Sequence, residues 1–273
     1  MQVSYVITTF NRPQCLERAT GFVAAERCAD SELIVVDDQS ATPVKLPDAA
    51  RAAFPGAHQL IRNPANLGVI GARNTGLAAA SGDLVLFLDD DDESLPNRTS
   101  CLLSAALGSG FDFVAARSFM QTDAGDVEVP SSPRTLLTPE LCLLHPPHID
   151  AVIWDRARLV ARGGLDGRVP YLGEHLSLTS ILLDGGQGLL LTDVVARFGY
   201  AELGLTDTAR RQQHLTRYLI ELYQVLLERP VPQRFRALAE GILRALQERA
   251  VHTFDEYLER LRQVVAGLAP ATD

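Results

Sequence analysis

Gly82-Asp-Leu-Val-Leu-Phe-Leu-Asp-Asp-Asp-Asp92, followed by Glu93 and Pro96, is the stretch on which the fold class turns. Its apolar run, Leu84 to Leu88, is short and continuous, the pattern of a strand buried on both faces. The strand ends in four aspartates. Carboxylates packed this closely repel and raise one another's pKa values, and they stay charged only beside a cation. Oxygen ligands at a strand end suit Mg2+ or Mn2+, hard ions that also hold substrate phosphates. A solvated acidic turn that caps the next helix is the competing reading of the same four residues.

The flanking sequence repeats the theme. Val3 to Thr8 is a β-branched run that stops at the turn signal Asn11-Arg12-Pro13, and Gln14 to Ala25 follows with helical spacing. Leu33 to Val36 is a second apolar run, ending at Asp37-Asp38-Gln39-Ser40, and Leu60-Ile61 is a weaker third; Ile70 to Ala80 reads as a helix. Short apolar strands alternating with helices predict an α/β fold, a mostly parallel sheet covered on both faces. Ligands bind such sheets beyond the carboxyl ends of the strands. Thr8-Thr9, Asp37-Asp38 and Asp89 to Asp92 all fall at that edge.

Downstream, Arg98 to Leu107 predicts a helix, Phe113-Val114-Ala115 a central strand, and the polar, proline-bearing stretch 123–133 a loop. Arg156 to Ala161 predicts a short helix closed by Gly163-Gly164, and Leu189 to Ala196 a last strand. From Asp207 the pattern changes to three amphipathic helices. Leu215, Tyr218, Leu219, Leu222 and Leu226 mark the first, Phe235, Leu238, Ile242, Leu243 and Leu246 the second, and Phe254, Tyr257, Leu258, Leu261, Val264 and Val265 the third. Their simplest use is a packed C-terminal helical appendage; the sharper use is a module for homodimerisation or partner docking.

Composition narrows the partners. The 273 residues carry a formal net charge of −9, which disfavours nucleic acid and anionic membrane surfaces. Cys15, Cys28, Cys101 and Cys142 are scattered without zinc spacing and read as reduced thiols. No basic leader with an apolar core opens the sequence, and no uncharged stretch is long enough to span a bilayer. The expectation is a soluble, cytoplasmic protein with no integral membrane segment.

Four segments in order carry a resemblance: Val-Ile-Thr-Thr-Phe-Asn-Arg-Pro (6 to 13), Leu-Ile-Val-Val-Asp-Asp-Gln-Ser (33 to 40), Asn-Leu-Gly-Val-Ile-Gly-Ala-Arg-Asn-Thr-Gly-Leu (66 to 77) and the Gly82 to Asp92 run. Together they resemble the inverting family 2 glycosyltransferases with the Rossmann-like GT-A fold, tightly over residues 1 to about 100 and more loosely to about 200. The resemblance implies a GT-A domain over 1–204, with a nucleotide-sugar-binding half (1–100) and an acceptor-side half (101–204), before a C-terminal helical region (205–273). It further implies a UDP- or dTDP-sugar donor, a hydroxyl acceptor (a saccharide, a lipid-linked precursor or a small natural product) and a divalent ion. Thr8, Thr9 and Asn11 would hold base and ribose, and Asp38, supported by Asp37, would accept the imide N–H. Arg73 would approach the diphosphate or else form a surface ion pair. Asp91 would bind Mn2+ or Mg2+ directly, while Asp89 and Asp90 would contact ribose or metal-bound water. Asp92 and Glu93 would begin the next helix.

An inverting transfer also needs a base to deprotonate the incoming hydroxyl. Gly173-Glu174-His175-Leu176 falls where the family has Gly-Glu-Asp, so the usual aspartate is replaced by His175. Neutral imidazole can serve near pH 7. Glu174 could take the role or orient His175, and a protein impaired in transfer that only binds nucleotide-sugar is the alternative. A sugar-phosphate nucleotidyltransferase fits less well, because Thr-Thr-Phe-Asn-Arg-Pro offers no glycine to cradle a triphosphate. His145 and His148 flank Pro146-Pro147 and read as a surface loop rather than metal ligands, since no carboxylates stand beside them at ligand spacing. Trp154 reads as core, or as a platform for a sugar face.

Overall fold

The computed structural model describes residues 2–122, 125–130, 133–199 and 208–247. The third predicted helix and the 204/205 boundary lie outside the described residues. The first half is built on a parallel sheet. β1 (Val3–Thr9) lies between β2 (Ser31–Asp37) and β4 (Leu84–Asp89), and β3 (His58–Arg62) flanks β2. All seven residues of β1 and of β2 are buried, which accounts for their unbroken apolar character. The crossovers carry α1 (Pro13–Glu26), α2 (Asp48–Ala53) and α3 (Gly68–Ala79). Pro13 opens α1 at a position where its missing N–H costs nothing.

Register brings the polar strand ends together. Thr8 pairs with Val36 on one side and Asp89 on the other, and Thr9 pairs with Asp37. The three polar clusters therefore share one sheet edge, as the alternation predicts.

The second half extends the sheet. β5 (Glu93–Ser94), α4 (Arg98–Ala106), β6 (Phe113–Thr122), β7 (Gly125–Val129), β8 (Thr135–Leu136) and α5 (Pro139–Leu144) lead to a 3-10 turn, Ile149–Ala151. Then come β9 (Val152–Asp155), α6 (Arg156–Ala161), α7 (Gly173–Leu183), β10 (Gly188–Gly199), α8 (Thr208–Leu227) and α9 (Gln233–Gln247). β9 runs antiparallel between β4 and β6, and β10 is parallel to β6. Thr138 and Asp155 cap α5 and α6, their side chains accepting from the Leu141 and Arg158 N–H groups at 3.1 and 2.9 Å.

Two expectations need correction. Asp92 and Glu93 do not begin a helix: Glu93–Ser94 pairs antiparallel with Ala196 and Arg197 of β10, and α4 starts only at Arg98. The predicted loop 123–133 is in large part strand, because Gly125 to Val129 pairs with Ser118 to Thr122 of β6. Val127 and Val129 alternate with acids there, a period-2 signal masked by the polar composition.

Three apolar clusters hold the molecule. One packs α1, α2 and α4 on one face of the sheet, around Leu16, Val23, Leu33, Phe54 and Leu102. The second packs α3, α5, α6 and α7 on the other face and includes Trp154, fully buried and tilted against Phe113 at 5.5 Å; this tryptophan is core and presents no sugar platform. The third joins Leu143 of α5 and Leu176 of α7 to Leu222, Tyr223, Leu226, Phe235 and Ile242 of α8 and α9. The described C-terminal helices thus spend their apolar stripes inside the chain, packed on the helix that begins at Gly173.

Candidate active site

The loop after β2 forms a polar socket. Asp38 is buried; its N–H donates to the Thr9 carbonyl at 2.9 Å, and its Oδ1 accepts from Asn63 Nδ2 at 2.7 Å and from the Leu67 N–H at 2.9 Å. That leaves Oδ2 for a ligand. Asp37 is buried beside it, its carbonyl accepting from the Asn63 N–H at 2.9 Å. It accepts from the Ser40 N–H at 2.8 Å and from Arg62, and these bonds outweigh its burial and hold its carboxyl below the usual range. Asn11 and Gln39 take left-handed backbone conformations. Asn11 ties the two loops together, its N–H donating to Ser40 Oγ at 2.8 Å and its Oδ1 accepting from the Ala41 N–H at 2.7 Å.

The four aspartates sort into two pairs. Asp89 and Asp91 are accessible, at 20% and 27% side-chain exposure, whereas Asp90 and Asp92 are buried, at 0% and 7%. Asp90 to Asp92 form a turn beyond the strand, closed by the Asp92 N–H donating to the Asp89 carbonyl at 3.3 Å. Asp90 faces Arg12 at 2.5 Å and the Thr9 hydroxyl, with its side chain fully buried. Burial, only partly offset by Arg12, pushes Asp90 up to about 7. Arg12 also donates to Asp91 Oδ2 at 2.7 Å. This arginine escaped the sequence reading, although it stands in the first motif.

Arg73 is neither a surface ion pair nor a free arm. It is 3% exposed and donates to both Asp89 oxygens at 2.8 and 2.7 Å and to Glu174 Oε2 at 3.2 Å. Burial raises the Asp89 carboxyl, but the Arg73 charge and its paired N–H groups more than reverse that and hold it below the usual range. Glu174 ends above its usual range, because burial and the Asp89 charge outweigh Arg73. One guanidinium so joins Asp89, at the end of β4, to Glu174 in the second half of the chain.

Adjacent residues of α7 diverge here. Glu174 enters the cluster, while His175, a third of a turn further on, lies against the Cys142 and Leu143 carbonyls of α5. His175 is buried, its Nε2 has no hydrogen-bond partner among the described residues, and burial lowers it to about 4. The structure does not bring it to the aspartates.

His148 contradicts the surface-loop reading. The 3-10 turn folds Asp150 beneath Asp89, whose N–H donates to Asp150 Oδ1 at 3.1 Å, and places His148 Nε2 3.7 Å from Asp92. Asp92, His148 and Asp150 can each offer one atom within 4.8 Å of the others, and His148 stacks on Phe198 at 4.1 Å. Burial and then the Asp89 charge raise Asp150 to about 8; burial and Asp150 raise Asp92; burial lowers His148 to about 4.

Does this set suit a divalent ion? Asp89, Asp90, Asp91, Asp92, Asp150 and Glu174 converge against Arg12 and Arg73, while Arg98 spends its donors on Glu26 and the Asp150 and Phe87 carbonyls. Carboxylates outnumber cations, the donors are oxygens with one imidazole, and His148 Nδ1 is buried without a partner among the described residues. The residues fit Mn2+ or Mg2+.

A mixed sheet with nucleotide-type loops and an acidic cluster at one carboxyl edge defines the GT-A class. The chain is similar to the mannosyltransferase PcManGT of Pyrobaculum calidifontis, solved with GDP-Man and Mn2+ (TM-score 0.67, 16% identity, 99% of this chain and 76% of that one). It is also similar to S. aureus TarS 1-349 in complex with UDP (TM-score 0.68, 15% identity, 97% and 81%). Residues 4–156 match glycosyl transferase family 2, and the chain belongs to that family. Among curated relatives, the Campylobacter jejuni GalNAc(5)-diNAcBac-PP-undecaprenol beta-1,3-glucosyltransferase is 34% identical over 111 residues, 38% of this chain and 34% of that protein. Succinoglycan biosynthesis protein ExoO of Rhizobium meliloti is 34% identical over 109 residues, 40% and 30%. The chain spans about a third of the length of the curated relatives it matches. No helix among the described residues is long and apolar enough to cross a membrane.

Proposed function

We propose that the protein is an inverting glycosyltransferase that moves a sugar from a UDP- or dTDP-sugar to a hydroxyl acceptor, with Glu174 as the general base. The observation that carries this reading is the Asp89–Arg73–Glu174 bridge, which holds a donor-side carboxylate and an acceptor-side carboxylate on one buried guanidinium. Asp38 Oδ2 accepts the imide N–H of the base, while Asn63 and Leu67 fix the carboxylate by occupying Oδ1. Asp91, with Asp89 beside it, would hold Mn2+ or Mg2+; when bound, the ion offsets charge on the diphosphate and the departing nucleotide. Arg73 keeps Asp89 ionised. Glu174, raised above its usual range, is a stronger base than an exposed carboxylate and takes the proton from the attacking hydroxyl. His175 serves packing between α5 and α7.

Single-turnover transfer with Mn2+, measured alongside UDP titration, tests the assignment. Glu174→Gln is expected to lose roughly 10²- to 10⁴-fold in transfer rate while still binding UDP. His175→Ala is expected to melt at lower temperature yet keep its rate within several-fold. The reverse order of rates would return the base role to His175. Wild-type protein that binds UDP yet neither hydrolyses donor nor transfers to any acceptor would support a binding protein instead. Rate should fall on the acid side, as pH drops through the raised pKa of Glu174.

A further inference from the structure

We infer that Tyr171, leaning on Tyr218, is an acceptor platform that takes the apolar face of a pyranose ring, which makes the acceptor a saccharide. The inference rests on the glycosyl-transfer reading of Glu174. Tyr171 holds φ at +65°, a conformation bulky side chains avoid. The other described non-glycine residues with positive φ, Asn11 and Gln39, both sit in the loops at the nucleotide socket. Asparagine tolerates this conformation through local hydrogen bonds, but tyrosine has no such compensation. Strain of this kind persists where the surrounding fold imposes it, and it gathers at binding sites.

Exposure adds an independent sign. At 64%, Tyr171 is the most exposed large apolar side chain among the described residues. Its hydroxyl has no hydrogen-bond partner among them, so neither core packing nor a polar tether explains the residue. What it does touch is the Tyr218 ring of α8, with centroids 5.2 Å apart and planes inclined at 49°. Only three peptide steps separate Tyr171 from Glu174, a Cα span of at most roughly 10 Å, within reach of one bound sugar. Arg168 lies three residues earlier on the same loop, held by Asp166 at 2.7 Å, with Glu228 4.0 Å away. An exposed aromatic face on a loop that also carries a charged side chain matches a sugar, with its C–H face and hydroxyl rim, better than an alkyl chain.

Saturation-transfer NMR on the full chain, with UDP and Mn2+ present, tests the platform using methyl β-D-glucopyranoside, methyl β-D-galactopyranoside and 1-octanol as probes. The expected result is transfer to the ring protons of at least one pyranoside, reduced at least fivefold in Tyr171→Ala and preserved in Tyr171→Phe. Tyr171→Gly should lose the transfer while melting at higher temperature, since it relieves the strained backbone. Saturation of octanol alone, of no probe, or equally in wild type and Tyr171→Ala would overturn the platform. A parallel UDP titration separates the two ideas: UDP binding without a Tyr171-dependent signal sinks the platform alone, and absence of UDP binding sinks the glycosyl-transfer reading with it.

Discussion

Asp92 and Asp150 show what single residues contribute. Both carboxyls sit above their usual range, Asp150 at about 8, chiefly because burial penalises the charged forms; the Asp89 charge adds to this for Asp150, and the Asp150 charge for Asp92. The folded state therefore binds a proton that the unfolded state, with an ordinary aspartate near 4, releases. The penalty is absent below about pH 4, grows as pH rises, and is complete above about pH 8. Asp150→Asn should accordingly raise the melting temperature at pH 8 more than at pH 5, as scanning calorimetry would show; an equal shift at both would contradict it. The four-aspartate run was plain in the sequence. Its division into two accessible and two buried members was not, because that depends on what the 3-10 turn 149–151 places beneath Asp89. Nor could spacing reveal that His148 meets Asp92, since the contact joins segments remote in sequence.

At the scale of elements, α3 decides whether Arg73 can grip Asp89. Gly76 lies one turn beyond Arg73 against β1, and a Cβ there would meet Val6 Cγ1 at 2.3 Å. Gly76→Ala must push α3 off the sheet. The expected loss is about 1–3 kcal/mol in denaturant unfolding, together with slower transfer as the Asp89–Arg73–Glu174 bridge loosens; unchanged stability would mean the helix can shift freely. β1, β2 and β4 were legible because buried parallel strands read as unbroken apolar runs, and α1 and α3 from the helical spacing between them. α2 and β7 were not. The first is a six-residue helix with a single buried residue, and the second alternates valines with acids in a polar stretch.

At the scale of the whole molecule, the described C-terminal helices buttress α5 and α7. Phe235 of α9 is fully buried in the cluster shared with Leu143 of α5 and Leu176 of α7. Phe235→Ala is expected to cost about 3–5 kcal/mol, read from the urea midpoint. Because α7 carries Glu174, transfer should decline before global unfolding. Loss of stability with activity retained up to the unfolding midpoint would show that the helices do not support the site. The sequence alone determined the parallel α/β sheet, the shared edge of Thr8-Thr9, Asp37-Asp38 and Asp89 to Asp92, and membership of the glycosyltransferase family, because strand burial and turn chemistry are local properties written in consecutive residues. Only the tertiary structure decided which polar groups meet. It moved His175 into the α5–α7 contact and Glu174 onto Arg73, and it gathered His148 and Asp150 beneath the aspartates. Those outcomes depend on helix rotation and on contacts between distant segments, and neither is encoded by spacing along the chain.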